Sequence, residues 1–292
     1  MQISQSKNTL FVRRLVESAI LVALAVVLSL IKLAELPAGG SVTCASLLPI
    51  LIIAYRNGPV WGLGSGLVFS VTQLLTGLSV FGYVTGWQSI LAVTLLDYIL
   101  AFLFSGLGGI FRRQDRPQST ALVYGALLVS LLRFICHLIS GATIWAGLSI
   151  PDGAALAYSL LYNAAYMVPE TVILVTAAFY LGSILDFSYD IPRRFPAEQK
   201  QTALRSVLAF FAGLLPVAAM VTDVALILPH LWEYNEETYK ESFTLDYIAD
   251  VKWIAVAVVS GVAVLLSLVY FLIVDRYLKV KDEPARTVET AE

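Results

Sequence analysis

The residues best suited to chemistry lie in one apolar stretch, where four notable side chains recur at every fourth position. They are Arg133, His137, Gly141 and Trp145. Residues four apart lie about 40° from one another around an α-helix, so the four form one slowly turning stripe. An arginine and a histidine are costly against lipid, and ionisable residues at membrane depth mark functional sites by default. The stripe therefore predicts a binding site inside a membrane protein.

The composition favours the same class. Hydrophobic residues make up 58% of the chain and charged residues 14%, whereas an average soluble domain carries roughly 25% charged residues. The mean hydropathy is +0.79. The two cysteines, Cys44 and Cys136, lie in apolar context without the spacing of metal ligands, so we interpret them as packing residues. We expect no metal site and no cofactor.

Apolar runs predict the membrane segments, because one crossing takes roughly 17 to 25 residues. Seven runs qualify, near residues 10–35, 59–77, 87–110, 119–147, 155–185, 203–229 and 252–278. A shorter run, Ser46 to Tyr55, lies between the first two. If it also crosses, the basic clusters all fall on one side and the acidic segment 233–250 falls on the other, as the positive-inside rule requires. We therefore predict eight segments in the cell membrane, with both termini cytoplasmic.

The longest polar link on the predicted cytoplasmic side, residues 186–202, divides the chain. We expect a body of six segments over residues 1–185 and a transmembrane hairpin of two helices over residues 203–292. The predicted fold class is an all-α membrane protein, a six-helix bundle with a two-helix extension. The sequence has no G-x-x-x-x-G-K-[ST] motif, so transport driven by ATP would require partner subunits.

The helical rise of about 1.5 Å per residue orders the polar residues by depth. Counted from the predicted outer ends of adjacent antiparallel helices, Arg133 and Glu170 lie at the same depth, where they can form an ion pair. Such a pair can also have no function beyond joining two helices. Three polar residues are shallower: Asp97, His137 and Asn163. Two aromatic residues lie near the mouth: Trp145 and Tyr158. The order predicts a pocket open to the outside with an ion pair as its floor.

Several short motifs occur in a fixed order over about residues 10–185. They are Pro37-Ala38-Gly39-Gly40-Ser41, Leu48-Pro49-Ile50, Tyr55-Arg56-Asn57-Gly58, Asp97-Tyr98, Arg133-Phe134-x-x-His137-x-x-x-Gly141-x-x-x-Trp145 and Tyr162-Asn163-Ala164-Ala165-Tyr166-Met167-x-Pro169-Glu170. Together they resemble the thiamine-specific S component of energy-coupling factor (ECF) vitamin transporters. The resemblance implies a six-helix membrane protein that captures thiamine from outside. It also implies a transmembrane coupling subunit and two cytosolic ATPases as partners, and no nucleic acid.

The resemblance implies roles for the residues around the two ends of the ligand. Trp145 matches the residue that stacks on the aminopyrimidine, and Tyr158 and Asn163 match residues that hydrogen-bond it. Three positions match the residues that surround the hydroxyethyl end: Tyr98, His137 and the backbone at Gly141. An acidic residue beside the cationic ring is matched by Asp97, where the family has glutamate. A planar cationic ligand does require a π-face, fixed polar partners and a negative charge.

Two pairs of small residues, Ala19 with Ala23 and Gly62 with Gly66, are each four positions apart, a spacing that predicts close packing of helices. By the resemblance, Ala19 and Ala23 in the first helix would dock the coupling protein. We interpret Gly62 and Gly66 as internal packing residues. The resemblance ends near Leu185 and does not cover the last two helices.

Two other functions remain open from the sequence. An intramembrane enzyme would use Asp97, His137 and Arg133 on a lipid-linked or vitamin-derived substrate. A membrane scaffold would use the acidic outer loop 232–250 as its interaction surface. The sequence has no nucleophile motif, and acidic loops are commonly just solvated, so we favour a transport subunit that is not an enzyme. Ligand binding by the purified protein separates this function from the scaffold, and product formation separates the enzyme from both.

Overall fold

A computed structural model of the chain describes residues 7–36, 39–84, 86–113, 117–144, 155–195, 232–235, 240–243 and 246–274, with shorter pieces between 208 and 230 and residue 277. Most of these residues are helical. Within them, three helices are long and apolar enough to cross a membrane: Trp87–Phe111, Gln118–Thr143 and Tyr158–Ile184. This confirms the predicted class, an all-α membrane protein. The number of membrane-spanning segments stays a prediction.

The chain forms two compact units by its Cα packing. The first contains Met1–Arg193 with Glu233–Phe243, and the second contains Arg194–Trp232 with Thr244–Glu292. The division falls inside the predicted link, and the predicted domain bounds 1–185 and 203–292 stay predictions. In the first unit the elements are, in order, α1 (Lys7–Leu30), β1 (Lys32–Glu35), β2 (Ser41–Thr43), α2 (Leu48–Asn57), α3 (Pro59–Thr76), α4 (Trp87–Phe111), α5 (Gln118–Thr143), α6 (Ala155–Ile184), β3 (Leu185–Asp186) and β4 (Arg193–Arg194).

The first helix is shorter than the sequence predicted. It ends at Leu30, so the prediction of helix to residue 35 is wrong. Strand β1 follows and pairs antiparallel with β2, with Glu35 opposite Ser41. Gly39, with φ of 99°, lies in the connection, where a positive φ favours glycine. The backbone groups of residues 32–35 therefore bond across the hairpin rather than along the helix.

Helix α2 is the short apolar run between the first two long ones, and it forms the centre of the first unit. Every residue from Leu48 to Tyr55 is buried. Pro49 lies in its first turn, where a missing N–H costs little. A helix of about ten residues that is apolar on all sides is typical of a protein interior. Whether the segment also crosses the membrane stays a prediction.

Helix α4 is irregular, and its irregular part positions a site residue. It is α-helical over Trp87–Val93, π-helical over Thr94–Leu100 and 3-10 helical over Phe104–Phe111. Near its end it packs closely on α3, because a Cβ on Gly62 would lie 2.4 Å from the carbonyl oxygen of Gly106. Gly62 is thus a packing residue, as the sequence suggested.

The second unit contains α7 (Trp253–Val269), which continues into a π-helical turn over Tyr270–Val274. Inside this unit Ser260 donates a hydrogen bond to the carboxylate of Asp223, and Ser267 donates one of 2.6 Å to the carbonyl of Ala212. Two further strands, β5 (Trp232–Asn235) and β6 (Lys240–Phe243), pair in the acidic segment that the sequence predicted to be a loop, and they belong mainly to the first unit.

Candidate functional site

Arg133 of α5 and Glu170 of α6 form a buried ion pair. Their side chains are 9% and 5% exposed. Glu170 also accepts a hydrogen bond from the hydroxyl of Thr43 on β2, whose oxygen lies 2.8 Å from that of Ser46. The guanidinium carbon of Arg133 lies 4.8 Å from the ring centroid of Phe102. The pair predicted from helical depth is therefore in contact, and it joins the β1–β2 hairpin to α5 and α6.

A second polar cluster joins α4 to α5. Asp97, on the π-helical turn, has one carboxylate oxygen 3.0 Å from Nδ1 of His137. Its other oxygen accepts a 2.7 Å hydrogen bond from the hydroxyl of Ser140. Asp97 and His137 are each 13% exposed, and Ser140 is fully buried. Single π-helical turns recur at functional sites. The structure thus places a carboxylate and an imidazole side by side in the apolar bundle.

One nitrogen of the His137 imidazole makes no hydrogen bond to the described residues. This nitrogen, Nε2, is buried and has no hydrogen-bond partner among the residues that the structure describes. The ring also meets the ring of Tyr166 edge to face, with centroids 6.4 Å apart. A buried nitrogen without a partner is costly unless a ligand or water completes it. Nε2 is therefore the atom of this cluster that is best placed to receive a ligand.

The side chain of Asn163 is buried and bonded within the protein. Its amide nitrogen donates to the backbone oxygen of Ser159 at 2.8 Å and lies 3.4 Å from the carbonyl oxygen of His137. Its amide oxygen accepts a 2.8 Å hydrogen bond from Tyr166. A direct bond from Asn163 to a ligand therefore requires it to exchange one of these partners. In the present arrangement it supports the backbone of His137.

The remaining candidate residues differ in surroundings. Tyr98 donates a 3.0 Å hydrogen bond to the carbonyl of Gly77. Gly141 is in close contact with α6, because a Cβ there would lie 2.1 Å from the hydroxyl oxygen of Ser159. Tyr158 is partly buried near the start of α6. Trp145 lies outside the described residues, so its predicted stacking role stays a prediction.

Sequence reasoning missed several polar residues that complete these clusters. Ser140 and Thr43 bind the two site carboxylates. Tyr162 accepts a 2.9 Å hydrogen bond from the backbone N–H of Gly40, a second tie between the hairpin and α6. Ser140 gave a usable signal, because it lies three residues after His137 and hence on the same side of the helix. Thr43 gave none, since its partner is 127 residues away.

The predicted docking residues Ala19 and Ala23 lie on an exposed face of α1. Large apolar neighbours share this exposure, among them Val16 at 53% and Ile20 at 65%. Nearer the start of the helix, Glu17 is paired with Arg56, which also donates a 2.8 Å hydrogen bond to the backbone oxygen of Phe187. One side of α1 is thus bound to the unit while its apolar face is exposed.

Comparison with known proteins gives two matches. A family model described as "Thiamine transporter protein (Thia_YuaJ)" matches residues 15–186. The chain is 36% identical over 181 residues to the thiamine transporter ThiT of Bacillus subtilis (strain 168), an alignment that covers 58% of this chain and 88% of that protein. The match to the family model ends at residue 186, before the second unit begins at Arg194.

Proposed function

Because the chain belongs to the thiamine transporter family, we propose that it is the substrate-binding subunit of an ECF transporter. Its substrate is thiamine or a close precursor, captured from outside the cell. The supporting observation is the Asp97–His137–Ser140 cluster, which combines a largely buried carboxylate with a buried ring nitrogen that has no hydrogen-bond partner among the described residues. A carboxylate buried in an apolar bundle favours a cationic partner. Thiamine carries a permanent positive charge.

In this proposal, the ligand lies against groups from α4, α5 and α6. Asp97 supplies the negative charge that compensates the cationic ring of the ligand. His137 makes a polar contact with the ligand next to this ring. Trp145 stacks on the pyrimidine. Four further residues complete the site: Tyr98, Gly141, Tyr158 and Asn163. The Arg133–Glu170 pair holds α5 and α6 in place beneath them.

The same proposal requires partner proteins. The sequence has no phosphate-binding loop, so ATP hydrolysis falls to two cytosolic ATPases, and a transmembrane coupling subunit links them to this chain. The exposed face with Ala19 and Ala23 supports docking of that subunit, because small residues let helix backbones approach closely in a membrane. Copurification with the coupling subunit should be lost when both alanines are changed to leucine. Retained copurification would contradict this docking face.

The orientation is part of the proposal. Both termini are cytoplasmic, and residues 36–45, 78–87, 148–154 and 230–251 are outside. Single cysteines replacing Glu35 and Asn57, in protein lacking Cys44 and Cys136, should react with an impermeant reagent from opposite sides. Labelling of both from one side would contradict eight segments.

The arrangement of the polar cluster disfavours an enzyme of the serine hydrolase type. In such enzymes the histidine lies between the serine and the carboxylate and accepts the serine's proton. Here the carboxylate of Asp97 lies between Ser140 and His137, so the hydroxyl donates to a carboxylate rather than to the imidazole. Among the described residues, Ser140 therefore lacks the contact with an imidazole that activates the serine in such enzymes.

Isothermal titration of the purified protein tests the proposed function. Thiamine should bind saturably, whereas vitamins without a positive charge, such as riboflavin and biotin, should not. Circular dichroism establishes that the protein is folded under the same conditions. A folded protein that gives no binding signal with thiamine or its pyrimidine precursor would contradict the proposal.

A further inference from the structure

A continuous set of hydrogen-bonding groups runs from Ser140 through Asp97 to His137. The hydroxyl of Ser140 lies 2.7 Å from one oxygen of Asp97, and Nδ1 of His137 lies 3.0 Å from the other. Because an ionised carboxylate only accepts hydrogen bonds, both neighbours must donate to it. The hydrogen on the imidazole therefore lies on Nδ1.

The state of the other ring nitrogen follows from its burial. Nε2 is buried without a hydrogen-bond partner in the described part of the chain. A buried N–H group without an acceptor is rare in folded proteins, whereas an incompletely satisfied acceptor is less rare. The hydrogen on Nδ1 and the lack of a described acceptor at Nε2 together favour a neutral ring whose lone pair is on Nε2.

The position of the ring is fixed by its neighbours. Its backbone carbonyl lies 3.4 Å from the amide nitrogen of Asn163, and the ring of Tyr166 meets it edge to face. The hydroxyl of Tyr166 is directed to Asn163, at 2.8 Å, rather than to the imidazole. These contacts hold the ring in one orientation and leave Nε2 for a ligand.

We propose that Ser140 and Asp97 are positioning residues that fix His137 as its Nδ1–H tautomer, so that Nε2 accepts a hydrogen bond from the ligand. This inference rests on the proposed function and adds a requirement to it. The ligand must bring a donor, such as a hydroxyl group, to Nε2. A ligand of the same shape whose group at this point cannot donate leaves the buried nitrogen unpaired and binds less tightly.

Nitrogen NMR of the imidazole tests the tautomer without any ligand. The chain has two histidines, so replacing His230 by glutamine in protein with ¹⁵N-labelled histidine leaves the signals of His137 alone. At neutral pH we expect Nδ1 to give the signal of a protonated nitrogen and Nε2 that of an unprotonated acceptor. A hydrogen on Nε2, whether or not Nδ1 also carries one, would overturn the proposal.

Variants of Ser140 test whether it positions the ring. Ser140→Ala removes the hydroxyl donor to Asp97 and should add signals of the Nε2–H tautomer. Ser140→Thr keeps the hydroxyl and should restore the single tautomer. Ser130→Ala, a buried serine on the same helix, is the matched control and should leave the signals unchanged. Identical signals in Ser140→Ala and wild type would show that Ser140 does not position the ring.

Binding measurements test the requirement for a donor. We compare thiamine with an analogue in which chlorine replaces its hydroxyl group. The wild type should prefer thiamine by about 3- to 10-fold, the value of one net hydrogen bond, and Ser140→Ala should reduce this preference to about 2-fold or less. Equal binding of both ligands by the wild type would overturn the donor requirement. If the wild type binds neither, the proposed function fails, and the nitrogen signals alone decide the tautomer.

Discussion

Two buried polar clusters of the first unit differ in how their charges are balanced. In the Arg133–Glu170 cluster, a full positive charge meets a full negative charge, and Thr43 adds a hydrogen bond to the carboxylate. In the Asp97–His137 cluster, the described groups that bind the carboxylate are a hydroxyl and an imidazole. In the first cluster the two opposite charges compensate each other, whereas in the second we expect a bound cation to be stabilised by the carboxylate.

This difference separates a structural role from a binding role. The ion pair between α5 and α6 is already compensated, so it should attract a charged ligand only weakly. Its loss should instead lower the stability of the fold. Loss of the Asp97 carboxylate, which is hydrogen-bonded to a hydroxyl and an imidazole, should affect ligand binding more than the fold. Variants in the two clusters should therefore give opposite patterns in stability and binding, and the following predictions test that contrast.

The largest effect is expected for Arg133→Met, which leaves Glu170 buried without its partner. We expect the free energy of unfolding to fall by about 3 to 5 kcal/mol, because an uncompensated buried charge remains. Thermal unfolding in detergent measures it. The double variant Arg133→Met, Glu170→Leu should recover most of the loss, since no charge is then left.

An exposed ion pair provides the control for this variant. Lys32 and Glu35 pair at 2.5 Å on the hairpin, with side chains 42% and 56% exposed. Lys32→Met should therefore change stability by less than about 1 kcal/mol. Equal effects of the two substitutions would show that the Arg133–Glu170 pair is not a special structural element.

The second effect concerns charge at the ligand. Asp97→Asn keeps the size of the side chain but removes its negative charge, so cationic thiamine should lose on the order of tenfold in affinity, about 1.4 kcal/mol. An analogue with a neutral ring in place of the thiazolium should lose much less. Titration of both ligands measures the difference.

A distant carboxylate controls for overall charge. Asp190 is paired with Arg13 and is 71% exposed, so Asp190→Asn changes the net charge equally without touching the cluster. It should leave both affinities unchanged. If Asp97→Asn weakened the charged and the neutral ligand alike, Asp97 would have no role as the counter-charge.

A smaller effect is expected for Trp145→Ala. Loss of stacking and cation–π attraction should cost about 0.5 to 2 kcal/mol in thiamine binding, several-fold in affinity. Trp87, a tryptophan that is 70% exposed at the start of α4, provides the matched control, and Trp87→Ala should bind normally. Normal binding by Trp145→Ala would exclude it from the site.

The sequence predicted the contact between Arg133 and Glu170 and a similar depth for Asp97 and His137, because depth along regular helices follows from the helical rise. Arg133 with Glu170, and Asp97 with His137, are in contact in the structure. How side chains divide their hydrogen bonds was not predictable. Asn163 was expected to face a ligand, but its amide is bonded to Ser159 and Tyr166, a choice set by local rotamers and neighbours.

The irregular backbone was also missed. The β1–β2 hairpin is held by backbone hydrogen bonds that leave no periodic side-chain pattern over three or four residues. The π-helical turn that carries Asp97 has the same apolar composition as the α-helical turn before it. Both features bring groups to the two clusters. The hairpin and the π-helical turn could not be predicted from helical periodicity in the sequence.

The smallest effect should come from removing the second unit. The family match ends at residue 186, and both clusters lie within residues 43–170. A truncated protein ending at Lys200 should therefore bind thiamine with the affinity of the full chain, within about twofold, a difference of about 0.4 kcal/mol. The truncation also removes β5 and β6, which belong mainly to the first unit by Cα packing. A folded truncated protein that no longer binds would assign part of the site to the segments after residue 200. Unchanged affinity would show that residues 1–200, which include the part matched by the family model, are sufficient for binding.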